Sequence, residues 1–221
     1  MIVGVCGFIG SGKDSIADFL VREYNFSRLS FATVLKDACA SIFDWDRDVL
    51  EGRTPEHREL REKTDWWWAE RLNIDNFSPR WALQRIGTEL FRNQFHKDIW
   101  ALAVEKRLSR YTNVVISDVR FPNEIDIIKR NAGVLWRVNR GPNPEWHDDV
   151  QSIIRGRLDY REIIAEKYPT IHESEWAWIG TYFSEEIDNN GTLDGLYRNI
   201  RDCHFRYSML QIALRSLEVK Q

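Results

Sequence analysis

The feature that most constrains this chain is a glycine-rich loop close to its start. Ile2-Val3-Gly4-Val5-Cys6 is a short apolar run, the composition of a parallel strand buried on both faces. Gly7-Phe8-Ile9-Gly10-Ser11-Gly12-Lys13-Asp14-Ser15 follows it. Asp14 to Tyr24 then reads as a helix with Ile16, Phe19 and Leu20 on one face. The skeleton is Gly, four residues, Gly-Lys, between a strand and a helix. Backbone N–H groups in such a loop can curl round a phosphate, with the positive end of the helix behind them. Lys13 would reach the β- and γ-phosphates of a nucleotide. The strict motif has Ser or Thr directly after Lys; here Asp14 intervenes, and Ser15 can supply the hydroxyl that Mg²⁺ needs. The bland alternative is a Gly-rich turn with a solvated lysine, and the strand–loop–helix context argues against it.

The rest of the chain alternates strand and helix. Arg28 to Phe31 reads as a second strand, and Leu35, Ala38, Cys39 and Ile42 recur with helical spacing. Residues 44–79 are polar, charged and Trp-rich and read as a helical hairpin or lobe. Pro79 and Arg80 open a helix carrying Leu83, Ile86 and Leu90, since proline is favoured where its missing N–H would be unpaired anyway. Ile99 to Leu108 is helical, Asn113 to Ser117 a strand, Asn123 to Asn131 a helix and Val134 to Val138 a strand. Residues 145–180 are polar and poorly periodic, and Tyr182 to Ile187 reads as the last strand, before the Asn189-Asn190-Gly191 turn and a closing helix from Leu193. Five strands with helices between them predict an α/β three-layer fold on a parallel sheet. The whole of 1–221 reads as one domain, with a helical lobe at 32–100 and a lid-like insertion at 140–180.

Composition closes off other classes. The 221 residues are 43% hydrophobic and 29% charged, which suits a globular chain and excludes a disordered or collagen-like one. A net charge of −3 argues against a nucleic-acid coat or a membrane-surface binder. No stretch approaches the ~18 apolar residues of a membrane span. The apolar start lacks a basic leader, so it reads as a strand of the mature fold and the protein as cytosolic. Cys6, Cys39 and Cys203 form no metal-type pair and suit a reducing compartment. His172-Glu173-Ser174-Glu175 invites a metal reading, but the five histidines show no paired ligand spacing, so zinc is rejected. The ten tryptophans include Trp66-Trp67-Trp68, and packing is the ordinary use of such residues. The Trp-rich 66–81 stretch could also serve a homodimer interface.

Three further constellations could carry chemistry. Asp118 ends the Asn113–Ser117 strand, where a phosphate-loop protein holds Mg²⁺, and Arg120 could clamp a phosphate. The alternative is a helix cap at the following Asn123. Arg80, Gln84, Gly87 and Thr88 lie at i, i+4, i+7 and i+8, one face of an α-helix, which could hold a phosphate and a base edge or could simply face solvent. Arg137, Arg140, Arg155, Arg157 and Arg161 flank or occupy the 140–180 segment, as in a basic lid over ATP or in any solvated loop. Lys36 and Trp100 are ambiguous alone.

Taken together, these residues resemble the deoxynucleoside monophosphate kinases of tailed bacteriophages, a branch of the P-loop nucleoside monophosphate kinases. The resemblance spans most of the chain: Gly12-Lys13-Asp14-Ser15 with Ala17-Asp18-Phe19, Lys36-Asp37-Ala38, Arg80, Gln84, Gly87-Thr88, Trp100, Asp118-Val119-Arg120 with Glu124, and Ile187 through Leu193. It implies that Gly10, Ser11, Gly12, Lys13, Asp14 and Ser15 bind ATP phosphates and Mg²⁺. It further implies that Lys36, Arg80, Gln84, Gly87, Thr88, Trp100, Asp118, Arg120 and Glu124 form the monophosphate-substrate set, with Lys13, Arg80, Asp118 and Arg120 catalytic and Ser15 and Asp118 on the metal. The Asn-x-Gly ending is shared with dephospho-CoA kinases, and by that analogy Asn190 touches adenine. Residues 44–79 match no family pattern. The implied reaction is ATP + dNMP → ADP + dNDP on several bases, serving phage DNA precursors. The partners are then small nucleotides, with no nucleic acid and no membrane. Rival readings are another small-molecule kinase such as a dephospho-CoA-type enzyme, a P-loop ATPase or switch, and a non-catalytic nucleotide-binding module.

Overall fold

The computed structural model describes residues 1–218. In chain order they form β1 (Ile2–Cys6), α1 (Lys13–Tyr24), β2 (Ser27–Leu29), α2 (Thr33–Phe43), α3 (Arg47–Glu51), α4 (Pro55–Glu62), α5 (Trp66–Leu72) and α6 (Pro79–Gln84). A π-helical stretch (Arg85–Phe95), α7 (Ile99–Leu108), β3 (Val114–Ile116), α8 (Pro122–Arg130) and β4 (Val134–Asn139) follow. The chain closes with α9 (His147–Gly156), α10 (Tyr160–Lys167), a 3₁₀ turn (Glu173–Glu175), β5 (Glu185–Asp188) and α11 (Leu193–Glu218). Two compact units result: Met1–Leu29 with the described residues from Arg110 onward, and Ser30–Ser109.

The first unit holds the sheet. Its five strands run in the order β2-β3-β1-β4-β5 and every pairing is parallel. β1 is central, with Val3, Val5 and Cys6 wholly buried, as its unbroken apolar run requires. On one face Val3, Val5, Val115, Trp136, Val138 and Ile187 pack against Ile16, Phe19 and Leu20 of α1 and Leu196, Ile200 and Cys203 of α11. On the other face α8 comes so close that a Cβ at Gly4 would lie 2.9 Å from Leu135 and closer still to Ile128. Helices, sheet and helix make the three layers. The last strand begins at Glu185 rather than Tyr182, because Tyr182 is 80% exposed and Phe183 turns its ring to Trp178 instead of joining the ladder. The 145–180 stretch, aperiodic in sequence, contains α9 and α10. No helix among the described residues is long and apolar enough to cross a membrane.

The second unit is helical. Leu35, Cys39, Leu50 and Trp100 form one small core; Ala69, Phe77 and Ala82 form another. The tryptophans explain how such short helices hold together. Trp45 stacks on Phe43 at 4.5 Å and donates its indole N–H to Asp65 at 2.7 Å. Asp65 also caps α5 through the N–H groups of Trp67 and Trp68. Trp68 donates to the Phe43 carbonyl at 3.1 Å. Trp66 and Trp67 are the two of the triplet left exposed. Proline opens α4 and α6, each capped by a preceding hydroxyl, Thr54 and Ser78.

Candidate active site

The glycine-rich loop leaves the central strand and turns into α1 through Gly12, whose φ is 103°. That left-handed conformation favours glycine, and a Cβ there would strike the Asn189 side-chain amide. Asn189 in turn donates to the Ser11 carbonyl at 2.8 Å, so the turn before α11 braces the loop. Asn190, the residue expected at adenine, accepts from the Gly141 N–H at 2.6 Å and donates to Asp188. Lys13 is the first residue of α1, and its ammonium donates to the Gly7 and Phe8 carbonyls, each at 2.8 Å. Burial pulls its ionisation below that of an ordinary lysine, with the Arg120 charge next; Asp14 and Glu175 oppose both. The Ser15 hydroxyl makes no hydrogen bond among the described residues. Asp14 is committed: Arg28 binds it together with Asp18 and Ser117, and Ser117 donates to it at 3.1 Å.

The end of β3 supplies the second part. Ser117 and Asp118 lead into Arg120, and Glu124 explains how that turn is held. Glu124 is 3% exposed, and its carboxylate accepts from the backbone N–H groups of Arg120 at 2.8 Å and Phe121 at 3.1 Å. It is therefore built into the turn that aims Arg120, at the first turn of α8. The Arg120 guanidinium donates to Glu175 at 2.6 Å and Ser174 at 3.2 Å. A segment that invites a metal reading is thus the acidic partner of a loop arginine, and among the described residues no group of three His, Cys, Asp or Glu could hold a metal. The neighbouring Glu173 pairs with Arg161 at 3.1 Å. Phe8 of the loop meets the rings of Trp146, His147 and Trp178 edge-on, which anchors 146–178 to the loop.

In the second unit, Lys36 pairs with Glu51 at 3.1 Å, and Glu51 also binds Arg47 at 2.7 Å. Arg80, Gln84 and Thr88 are exposed, whereas Gly87 is buried against Leu35. The α-helical face expected to join all four does not persist, because after Gln84 the backbone goes over to π-helix and the angular step per residue changes. Trp100, which the resemblance puts in the monophosphate-substrate set, presents no open ring face to a base. It is 6% exposed, lies in the core and donates its indole N–H to the Gly87 carbonyl at 2.9 Å. It supports Gly87 from inside.

Arg28, Asn189 and Glu175 escaped the sequence reading. Arg28 closes a spacing of 14 residues to Asp14, and Asn189 one of 178 to Ser11, so no local pattern marks either. For Glu175 a signal exists: an acidic cluster inside a basic segment. The thiols of Cys6, Cys39 and Cys203 are free and buried, and burial raises all three, Cys39 to about 11 and Cys203 to about 12.

No family model matches the chain. A protein of Acanthamoeba polyphaga mimivirus, named as a deoxynucleotide monophosphate kinase, is 33% identical over 154 residues, covering 63% of this chain and 74% of that one. The deoxynucleoside-5'-monophosphate kinase of Escherichia phage T5 is 26% identical, with 89% of this chain and 91% of its own covered. Among solved structures, the shikimate kinase of Bacteroides thetaiotaomicron is similar at a TM-score of 0.43 and 13% identity, covering 94% of this chain and 98% of that one.

Proposed function

The chain belongs to the deoxynucleoside monophosphate kinases, and on that premise we propose that it moves the γ-phosphoryl group of ATP to deoxynucleoside monophosphates of more than one base. The observation that carries the reading is the Lys13 ammonium. It sits inside the glycine loop at the start of α1, 2.8 Å from two loop carbonyls, at the height where a bound phosphate would take their place.

Phosphoryl transfer asks mainly for positioning and charge neutralisation. The loop N–H groups and Lys13 hold the donor's phosphates. Arg120, aimed by Glu124, neutralises transferring charge. Lys36 and Arg80 hold the acceptor phosphate, and Gln84 and Thr88 face the nucleoside. That acceptor is already ionised at neutral pH, so no strong general base is required. The lobe 32–100 acts as acceptor-binding part and 140–180 as lid, whose closure excludes water that would otherwise hydrolyse ATP. The donor set fits Mg²⁺: a Ser15 hydroxyl without a hydrogen-bond partner among the described residues and the Asp118 carboxylate suit an ion completed by substrate phosphates, and no closed cage competes. When bound, the ion would neutralise phosphate charge. The product would feed DNA precursor synthesis in the cytoplasm.

The test is ATP consumption across the four standard dNMPs, their ribose counterparts and dephospho-CoA, with Mg²⁺ present. Turnover with dNMPs supports the reading; hydrolysis indifferent to every acceptor overturns it, and turnover of dephospho-CoA alone would move the reaction to a hydroxyl acceptor.

A further inference from the structure

The strict phosphate-loop motif carries a hydroxyl directly after its lysine, and this chain carries a carboxylate there. Asp14 lies in the first turn of α1, between Lys13 and the Ser15 hydroxyl, and its side chain is 77% exposed. An acid at a helix N-terminus suits the helix dipole, but here it competes with a bound phosphate for the same positive end. Asp18 stands at i+4, so two carboxylates share one face of α1 and repel each other. The sheet answers them with Arg28. In the β2–β3 ladder Arg28 is opposite Val115, which shares a core with Ile16 and Phe19 of α1. Ser117, two residues on, falls on the same face. The Arg28 guanidinium binds Asp14 through Nη2 and Asp18 through Nη1, the latter at 2.8 Å. Nη2 also donates to the Ser117 hydroxyl at 2.9 Å, and that hydroxyl donates to Asp14 at 3.1 Å. Ser117 is buried and the Arg28 side chain is 24% exposed, so the cation is held between sheet and helix.

We propose that Arg28 is a positioning residue for the donor nucleotide: it holds the Asp14 carboxylate against the end of β3, so that the glycine loop can take the triphosphate of ATP. Arg28 acts through Asp14 rather than on a phosphate. Without it, a carboxylate between Lys13 and Ser15 would meet the donor phosphates with like charge and offset the single charge that Lys13 supplies. The job suits arginine, whose planar fork reaches two carboxylates and a hydroxyl at once; the point charge of a lysine lacks that geometry. The same ring of bonds fixes Ser117, the residue before Asp118, and so ties the start of α1 to the end of β3. This inference rests on the reading of the glycine loop as the ATP phosphate site.

The experiment titrates ATP into the full-length protein by calorimetry in EDTA, so that binding is read apart from turnover and from the metal. Arg28→Gln, which keeps the length and the hydrogen-bond donors and removes the charge, is measured in the wild type and in the Asp14→Asn background, with unfolding curves alongside. Arg28→Gln should weaken ATP by about tenfold where Asp14 is present and by less than about twofold in the Asp14→Asn background. The tenfold loss should shrink as salt is raised. If Arg28→Gln does not fold, Arg28→Lys runs in the same two backgrounds, with a loss of about threefold expected only where Asp14 is present. Equal weakening in both backgrounds would mean that α1 is loosened in general, and it overturns the role of Arg28, as does no weakening in either; both leave the proposed function standing. A wild-type protein that binds no ATP overturns the donor site itself, and this inference with it.

Discussion

The cations of the two units are held differently. Around the glycine loop three cations are already answered: Lys13 by two loop carbonyls, Arg28 by Asp14, Asp18 and Ser117, Arg120 by Glu175 and Ser174. In the helical unit Lys36 and Arg47 share Glu51, whereas Arg61 and Arg80 make no ion pair among the described residues. The difference teaches what a ligand must do at each place. At the loop a phosphate exchanges one set of partners for another, so its net gain is small per contact and its specificity comes from fit. In the helical unit an anion meeting an arginine that has no ion pair would gain mainly charge, and that gain would fall with salt.

Lys13→Ala tests the first half of that contrast with the largest effect. Loss of a group that neutralises developing charge costs about 10²- to 10³-fold in kcat. The dNMP KM should stay within about threefold, because the loop and the acceptor residues are separate sets. Steady-state kinetics with saturating dNMP checks it, and turnover near the wild-type rate would remove the loop from the mechanism.

The scaffold beneath the loop is the next place to break the comparison. At Gly4 there is no room for a branched side chain: Leu135 stands 2.9 Å and Val119 3.2 Å from the Cβ position, with Ile128 nearer. Gly4→Val should lower stability by about 1–3 kcal/mol through overpacking between β1 and α8. Denaturant unfolding reads it. A variant as stable as the wild type would mean that α8 can retreat, and that the turn carrying Arg120 is less firmly held than the loop.

What was legible from sequence follows the same division. The loop from Gly7 to Ser15 needs only neighbours in the chain, so strand, turn, helix and lysine are read directly from order and spacing. The parallel sheet is legible for a similar reason, since apolar runs such as Val114–Ile116 and Ile2–Cys6 have no polar face to give away. The helical unit hid more. Its helices are mostly 5–8 residues long, too short for a periodicity to establish itself, and the change from α- to π-helix after Gln84 breaks the register from Arg80 to Thr88. Arg61 is invisible for a further reason: its buried Nε has no hydrogen-bond partner among the described residues, and sequence order does not show which groups are left over. Glu124 is a middle case. Its position one turn after Arg120 was visible, but only the structure shows the carboxylate accepting two backbone N–H groups.

Trp100→Phe sharpens the contrast at a smaller scale. The indole N–H satisfies the buried Gly87 carbonyl at 2.9 Å, and the ring fills the core with Leu35 and Leu50. Phenylalanine keeps the packing and loses the bond, so stability should fall by about 1 kcal/mol. The ranking of bases by kcat/KM should not move. A base-dependent change would return Trp100 to the nucleotide as a stacking surface, against its burial.

The smallest effect is a shift in pH dependence, and it tests whether Glu175 reaches the loop's lysine. Lys13 must be protonated to neutralise phosphate, so kcat/KM falls as pH rises through its ionisation in the free enzyme. Burial first, and the Arg120 charge second, place that ionisation below the ordinary lysine value, so the alkaline limb begins below pH 10.5. Glu175 acts in the other direction, since its negative charge favours the ammonium. Glu175→Gln removes that support and should move the limb to lower pH. Glu173→Gln is the control: its carboxylate pairs with Arg161 and is absent from the charges that act on Lys13, so its limb should coincide with the wild type. If both variants shift alike, the change comes from a loosened 173–175 turn rather than from the charge of Glu175. If neither shifts, the Glu175 charge does not reach Lys13 in the free enzyme, and the loop's lysine is set by burial and Arg120 alone.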